Sequence, residues 1–130
     1  MAFSKETSIC IIGAGSSGIA ACKNLIQAGF NNITIFEQSD RLGGNWVYTE
    51  DVKHSSVYET THIITSKHHS AYLDFPMPDS YPDYPSHWLM AEYFENYSKR
   101  FGVTSKIRIP RRCCTTVDSK TTLLGTITNG

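Results

Sequence analysis

The run Gly13-Ala14-Gly15-Ser16-Ser17-Gly18, a GxGxxG pattern set between an isoleucine-rich stretch and a helical pattern, constrains the fold of this chain more than any other feature. Glycines cluster in many turns, so the flanks of the pattern decide its meaning. Ahead of it, Ser8-Ile9-Cys10-Ile11-Ile12 is a short and almost continuous apolar run, as expected of a parallel strand buried on both faces. Behind it, Ile19, Ala20, Cys22, Leu25 and Ile26 recur at helical spacing from Ser16 to about Ala28, and Gly29 stands where a C-terminal cap glycine belongs. A second β-branched run, Ile33-Thr34-Ile35-Phe36, ends at the acidic Glu37. Strand, helix and strand over residues 8–37 are read as a parallel βαβ unit.

The chemistry of that unit is set by its geometry. Gly13 permits the tight turn, Gly15 lets backbone approach a pyrophosphate, and Gly18 lets helix and sheet pack closely. Ala14, Ser16 and Ser17 complete a loop whose N–H groups, with the positive end of the helix dipole, suit an anion. Glu37, at the end of the second strand, is placed to accept hydrogen bonds from ribose hydroxyls, and its charge disfavours a 2′-phosphate at this first site. FAD and NAD both remain open at that point. The segment Gln38-Ser39-Asp40-Arg41-Leu42-Gly43-Gly44-Asn45-Trp46 then argues for FAD, since Gly43 and Gly44 let a second stretch of backbone pass close to the same cofactor. Gln38, Leu42, Gly43, Gly44, Asn45 and Trp46 join the candidate contacts. The competing reading is an ordinary glycine turn with Trp46 as core filler.

From Gln38 to Pro85 the pattern loosens, and four of the five prolines (Pro76, Pro78, Pro82 and Pro85) fall at its end. Such density excludes a central strand or helix and indicates an ordered surface connection. A second helix is predicted over 86–101 with Trp88, Leu89, Tyr93, Phe94 and Tyr97 on its apolar side. The tail, 107–130, alternates polar and β-branched residues in two pieces and is read as a partial antiparallel hairpin, although Pro110 and Arg111-Arg112 sit badly in a strand.

A chain of 130 residues, 40% hydrophobic, suits one ordinary domain. Twelve basic residues balance twelve acidic ones, and Lys99, Arg100, Arg111 and Arg112 form no phosphate-tracking stripe, so nucleic acid is not an expected partner. No apolar stretch approaches the roughly 20 residues of a membrane-spanning helix, and Met1 to Thr7 does not have the pattern of a signal peptide. A cytoplasmic setting is the default expectation. Cys10 and Cys22 are read as buried reduced thiols, and the adjacent Cys113 and Cys114 argue against a disulfide framework. His54, His62, His68, His69 and His87 show no metal-site spacing, and His68 and His69 are expected in solvent.

The chain resembles the two-dinucleotide-domain flavoproteins, and within them the flavin-containing monooxygenases. The markers are the glycine fingerprint, Phe36 to Trp46, Thr65-Ser66-Lys67 followed by Asp74-Phe75-Pro76-Met77-Pro78, and Tyr81-Pro82-Asp83-Tyr84-Pro85-Ser86. The resemblance implies an α/β, Rossmann-like FAD/NAD(P)-binding domain, represented here by an N-terminal βαβ unit, a helix and a partial β-hairpin. It implies that NADPH reduces FAD in the full-length relatives and that a C4a-hydroperoxyflavin, formed with O₂, oxygenates a nitrogen or sulfur of a small-molecule substrate. Carried over by motif, residues 13–17 would lie on the pyrophosphate, Glu37 on the ribose, and Asn45, Trp46, Thr65 and the backbone of Ile64 near the flavin. Many relatives carry asparagine where this chain has Ile64, which offers no hydrogen bond. A second glycine fingerprint for NADPH is absent from the 130 residues, so the expectation is an N-terminal part of the FAD-binding domain, and no catalytic residue or metal ligand is assigned. Another flavoprotein reductase or oxidase, or an inactive remnant, is the rival expectation.

Overall fold

The computed structural model describes residues 4–51 and 56–109, and the backbone of 122–125. The first apolar run forms β1 (Ile9–Ile12), the helical pattern α1 (Ser16–Gln27) and the second run β2 (Ile33–Phe36). β1 and β2 pair in parallel, Ile9 opposite Ile33 and Ile12 opposite Phe36. The βαβ reading of residues 8–37 is therefore what the chain adopts. Two bonds close α1 after its last turn, Gly29 N–H to the Ile26 carbonyl at 2.9 Å and Phe30 N–H to the Leu25 carbonyl at 3.0 Å, the pairing in which a cap glycine ends a helix.

The tail departs from expectation. β3 (Ile107–Arg108) pairs in parallel with β2, and β4 (Thr122–Gly125) pairs in parallel with β1 on the opposite side. The sheet order is β3-β2-β1-β4, so the two pieces of the tail form no hairpin with each other. Alternating residues signal a strand but not its partner, and here each piece gains more by extending a buried parallel sheet than by pairing locally. Pro110, Arg111, Arg112, Cys113 and Cys114 lie outside the described residues, as does His54.

This order has a consequence for binding. The chain leaves β1 toward β2 on one side, while β4 takes the other, so the strand order reverses at β1. In open parallel sheets, ligands occupy the crevice outside the carboxyl ends of the strands at such a reversal. The fingerprint begins there, immediately after Ile12.

A 14-residue helix, α2 (His87–Arg100), covers the core, and a single helical turn at Lys67–Ser70 precedes it. The buried stripe of α2 is His87, Met90, Ala91, Tyr93, Phe94, Tyr97 and Ser98. Tyr93, Phe94 and Tyr97 face inward as predicted, but Trp88 does not, being 52% exposed with its ring against His87 and Tyr48. At 100° per residue it falls well off the line through Met90, Phe94 and Tyr97. The core joins Ile11, Ile19, Cys22 and Ile35 of the βαβ unit to these aromatics. Burying each such isoleucine contributes roughly 1.5–3 kcal/mol. Cys10 and Cys22 are buried free thiols, as expected. Among the described residues, no helix is long and apolar enough to cross a membrane.

The connection over 38–85 lacks long elements but is not superficial. Ile63, Met77, Tyr81 and Pro85 are buried in it. Its organiser is Lys67, 7% exposed, whose ammonium donates to the carbonyls of Tyr81 at 2.6 Å, Asp79 at 3.0 Å and Pro78 at 3.4 Å. Four prolines leave this segment short of backbone N–H donors, and the Lys67 ammonium adds donors to its carbonyls. A second buried ammonium, Lys23 of α1, pairs with Asp74 and so ties the βαβ unit to the connection.

Two outcomes are expected. A Cβ at Gly18 would stand 2.0 Å from the Gly13 carbonyl oxygen, a backbone atom that no rotamer change can move aside. Gly18→Ala should thus cost about 3 kcal/mol or more in chemical denaturation, while exposed Ser17→Ala should stay within about 0.5 kcal/mol; equal effects would contradict the packing described. Burial also pushes the hydroxyls of Tyr81 and Tyr97 up to about 12 and the Cys22 thiol up to about 11, and raises Tyr72 too. Above pH 9 the unfolded chain sheds these protons first, so stability is complete below that pH and is lost through pH 12. The urea midpoint should hold steady from pH 7 to 9 and then fall; a flat profile to pH 12 would contradict it.

Candidate functional site

Two glycine loops meet at the carboxyl end of β1. Gly13 N–H extends the ladder to the Phe36 carbonyl at 2.8 Å, and the chain then turns through Ala14 into α1, with Gly15 as its N-cap. No side chain caps this end, and no acidic residue lies in its first turn. The amides of Ser16, Ser17 and Gly18 therefore end the helix as donors with no partner within it. The second loop approaches from residues 42–46. Gly43 N–H donates to the Ala14 carbonyl at 2.9 Å, and Gly44 lies so close that a Cβ on it would stand 3.1 Å from Gly15 Cα. Gly43 and Gly44 both have positive φ, 122° and 59°. Only glycine lets both loops pass at this distance.

Glu37 locks the arrangement. Immediately after β2 and 6% exposed, it accepts the Ala14 N–H at 2.6 Å on Oε2, and the Ser39 N–H and hydroxyl at 2.8 and 2.9 Å on Oε1. Glu37 thus stands at the strand end as its sequence position implies, and it carries a second duty that spacing does not disclose. Its carboxylate is a clamp between fingerprint and β2, and of about four acceptor positions three serve the protein. One remains for an outside hydroxyl.

A cleft of about 600 Å³ opens beside the fingerprint, and four candidate residues line it: Ser16, Trp46, Ile64 and Thr65. Trp46 is half-buried in a 3-10 turn (Gly44–Trp46), and Thr65 bonds to Ser70 at 2.5 Å between hydroxyls. Ile64 is 95% exposed. Gln38, Leu42, Gly43 and Asn45 are not on the cleft wall; Gln38 and Asn45 face solvent, while Leu42 and Gly43 pack inward behind the fingerprint. The rest of the wall comes from Thr61, His62, Ile63, Ser70, Tyr72, Met90 and Phe94, none of which the sequence marked as site residues. Thr61, His62 and Ile63 directly precede the candidate pair Ile64-Thr65, and Tyr72 lies between Thr65-Ser66-Lys67 and Asp74-Phe75-Pro76, but nothing in the spacing of Tyr72 pointed back to residue 16. Its hydroxyl donates to the Ser16 carbonyl at 2.6 Å.

The donor set suits an extended, anion-bearing ligand with an apolar ring at one end. Uncapped amides at the α1 terminus are of the kind that suit an anion, and Trp46, Ile63, Ile64, Met90 and Phe94 are apolar residues of the wall. Among the described residues, no group of three His, Cys, Asp or Glu is arranged to hold a metal ion. His68 and His69 are exposed on the single turn before α2, and His87 is fully buried with Nε2 2.9 Å from the Glu59 carbonyl.

Comparison with known proteins agrees with this geometry. The pattern of the flavin-binding monooxygenase-like family matches residues 6–123. Flavin-containing monooxygenase 1 of Canis lupus familiaris is 38% identical over 108 residues, covering 82% of this chain and 20% of the relative. Flavin-containing monooxygenase 5 of Rattus norvegicus is 35% identical over the same shares. The chain thus spans about a fifth of the length of the curated relatives it matches. The structure of S-allyl-L-cysteine S-oxygenase from Allium sativum superposes with a TM-score of 0.69 at 27% identity, over 78% of this chain and 27% of that one. Cyclohexanone monooxygenase in its closed crystal form shares the fold, with a TM-score of 0.66 at 22% identity over 78% of this chain and 19% of that one. Because the family match runs from ahead of β1 into β4 and takes in every element that builds the cleft, the chain belongs to the flavin-binding monooxygenase-like family.

Proposed function

We propose that this chain is the FAD-binding portion of an NADPH-dependent flavin monooxygenase that oxygenates soft nucleophiles, a nitrogen or a sulfur. The observation that carries the reading is the close passage of Gly44 over Gly15 beside an α1 terminus with no side-chain cap, opening on a cleft with an aromatic wall. FAD fits these residues: a pyrophosphate would lie on the amides of Gly15, Ser16 and Ser17, the adenosine ribose at the free acceptor of Glu37, and the ring system toward Trp46, Ile64 and Thr65. When bound, the flavin supplies the redox chemistry. The chain's own residues bind the anion, orient the cofactor along β1 and, through Trp46, Met90 and Phe94, exclude water from one side of the cleft. NADPH enters the proposal only for a longer protein carrying these residues.

Ile64 favours a second reading of the chemistry. It offers the cleft no side-chain hydrogen bond at the point where many relatives have asparagine, which suits a flavoprotein reductase or oxidase using the same FAD site. In a longer protein containing these residues, NADPH-dependent formation of an S-oxide or N-oxide supports oxygenation. NADPH consumption without either product supports the second reading.

Titrating the chain with FAD and following flavin fluorescence tests the common part of both. Saturable binding is expected, lost in Glu37→Arg. Because that change also removes the acceptor of Ala14 and Ser39, Glu37→Gln is the companion: it keeps an oxygen but loses the charge, and should weaken FAD roughly tenfold while circular dichroism stays unchanged. A folded wild-type chain that binds no FAD would contradict the proposal.

A further inference from the structure

We propose that Tyr72 is a positioning residue for the cofactor end of α1, orienting the Ser17 amide through the Ser16 carbonyl. The inference rests on the reading of the cleft as an FAD site. Tyr72 Oη donates to the Ser16 carbonyl at 2.6 Å across 56 residues of chain, and both residues line the cleft. That carbonyl and the Ser17 N–H belong to one planar peptide and point in opposite directions. A donor holding the carbonyl from behind therefore fixes where the amide in front is aimed. A bond accepted by the carbonyl also polarises the same peptide and strengthens its N–H as a donor.

Among the described residues, no side chain caps α1, and Tyr72 reaches the carbonyl of its first residue from outside the helix. Tyr72 in turn is held firmly. Its backbone N–H donates to the Tyr93 hydroxyl at 2.8 Å, which donates onward to the Phe75 carbonyl at 2.5 Å. Its ring lies 4.4 Å from that of Tyr97 and is stacked at 5.9 Å on that of Tyr93. Two turns further along α1, Lys23 pairs with Asp74, so the segment around Tyr72 grips the helix twice. Burial, with neighbouring tyrosines and Asp74, raises the Tyr72 hydroxyl above its ordinary range, which keeps it a donor at any physiological pH.

The test compares Tyr72→Phe with Tyr81→Phe in the 130-residue chain. Both remove one tyrosine hydroxyl from a partly buried hydrogen bond, that of Tyr81 donating to Glu92 at 3.2 Å, but only the first touches α1. Two quantities are read: the dissociation constant for FAD by fluorescence, and the amide resonance of Ser17 in a two-dimensional NMR spectrum without FAD. Tyr72→Phe should weaken FAD roughly fivefold to tenfold and shift the Ser17 amide, and Tyr81→Phe should change FAD affinity less than about twofold. Unchanged FAD affinity in Tyr72→Phe, or an equal loss in Tyr81→Phe, would overturn the assignment. If the wild-type chain binds no FAD, the reading of the cleft fails by itself. The Ser17 resonance then decides the positioning role alone, a shift supporting it and an unmoved signal overturning it.

Discussion

The absence of a side chain at residue 18 is the constraint on which the rest of this structure depends. A Cβ there would stand 2.0 Å from the Gly13 carbonyl oxygen, so α1 can lie against the end of β1 only as it does with glycine at that position. Everything at the site inherits that contact. It sets where the α1 amides point, and it brings Ala14 within 2.6 Å of Glu37, whose carboxylate joins the turn to β2. It also lets the second loop descend until Gly44 meets Gly15. Three successive backbone approaches are thus made by glycine, and the single buried carboxylate among them accepts three N–H and O–H donors, which offsets the burial of its charge.

The other half of the cleft is built by less regular means. The connection between β2 and α2 carries too many prolines to form its own ladder, and its carbonyls are gathered instead by the ammonium of Lys67. Lys23 with Asp74, and Tyr72 with the Ser16 carbonyl, then fasten the connection to α1. A cleft between two bodies keeps its shape only if they are held together beside it, and these polar fasteners lie along that seam. The aromatic packing of Tyr72, Phe75, Tyr93 and Tyr97 lies beside the Tyr72 fastener.

Local periodicity and the placement of glycine were legible in the sequence. The βαβ unit, the position of Glu37 and the length of α2 all rest on patterns within a single element, and those appear as expected. The pairing of residues 107–108 and 122–125 rests on which distant strand each joins, information that alternation does not carry. Trp88 misled because a large aromatic one residue off a helical stripe still looks apolar in a list, although it lies far around the helix. At the site, Ser16, Trp46, Ile64 and Thr65 converge on one cleft. The structural duty of Glu37, the donors gathered by Lys67 and the reach of Tyr72 to residue 16 were hidden, since each is a contact between a side chain and a remote backbone atom.

The two glycine loops and the segment at Ile64-Thr65 are proposed to form one FAD site. Titrating the isotope-labelled chain with FAD and mapping the perturbed amides tests it most directly. Saturable changes are expected at Gly15, Ser16, Ser17, Gly44, Trp46 and Thr65, with the exposed residues at the far end of α1 unmoved. Saturable changes elsewhere, with the fingerprint amides unperturbed, would contradict it.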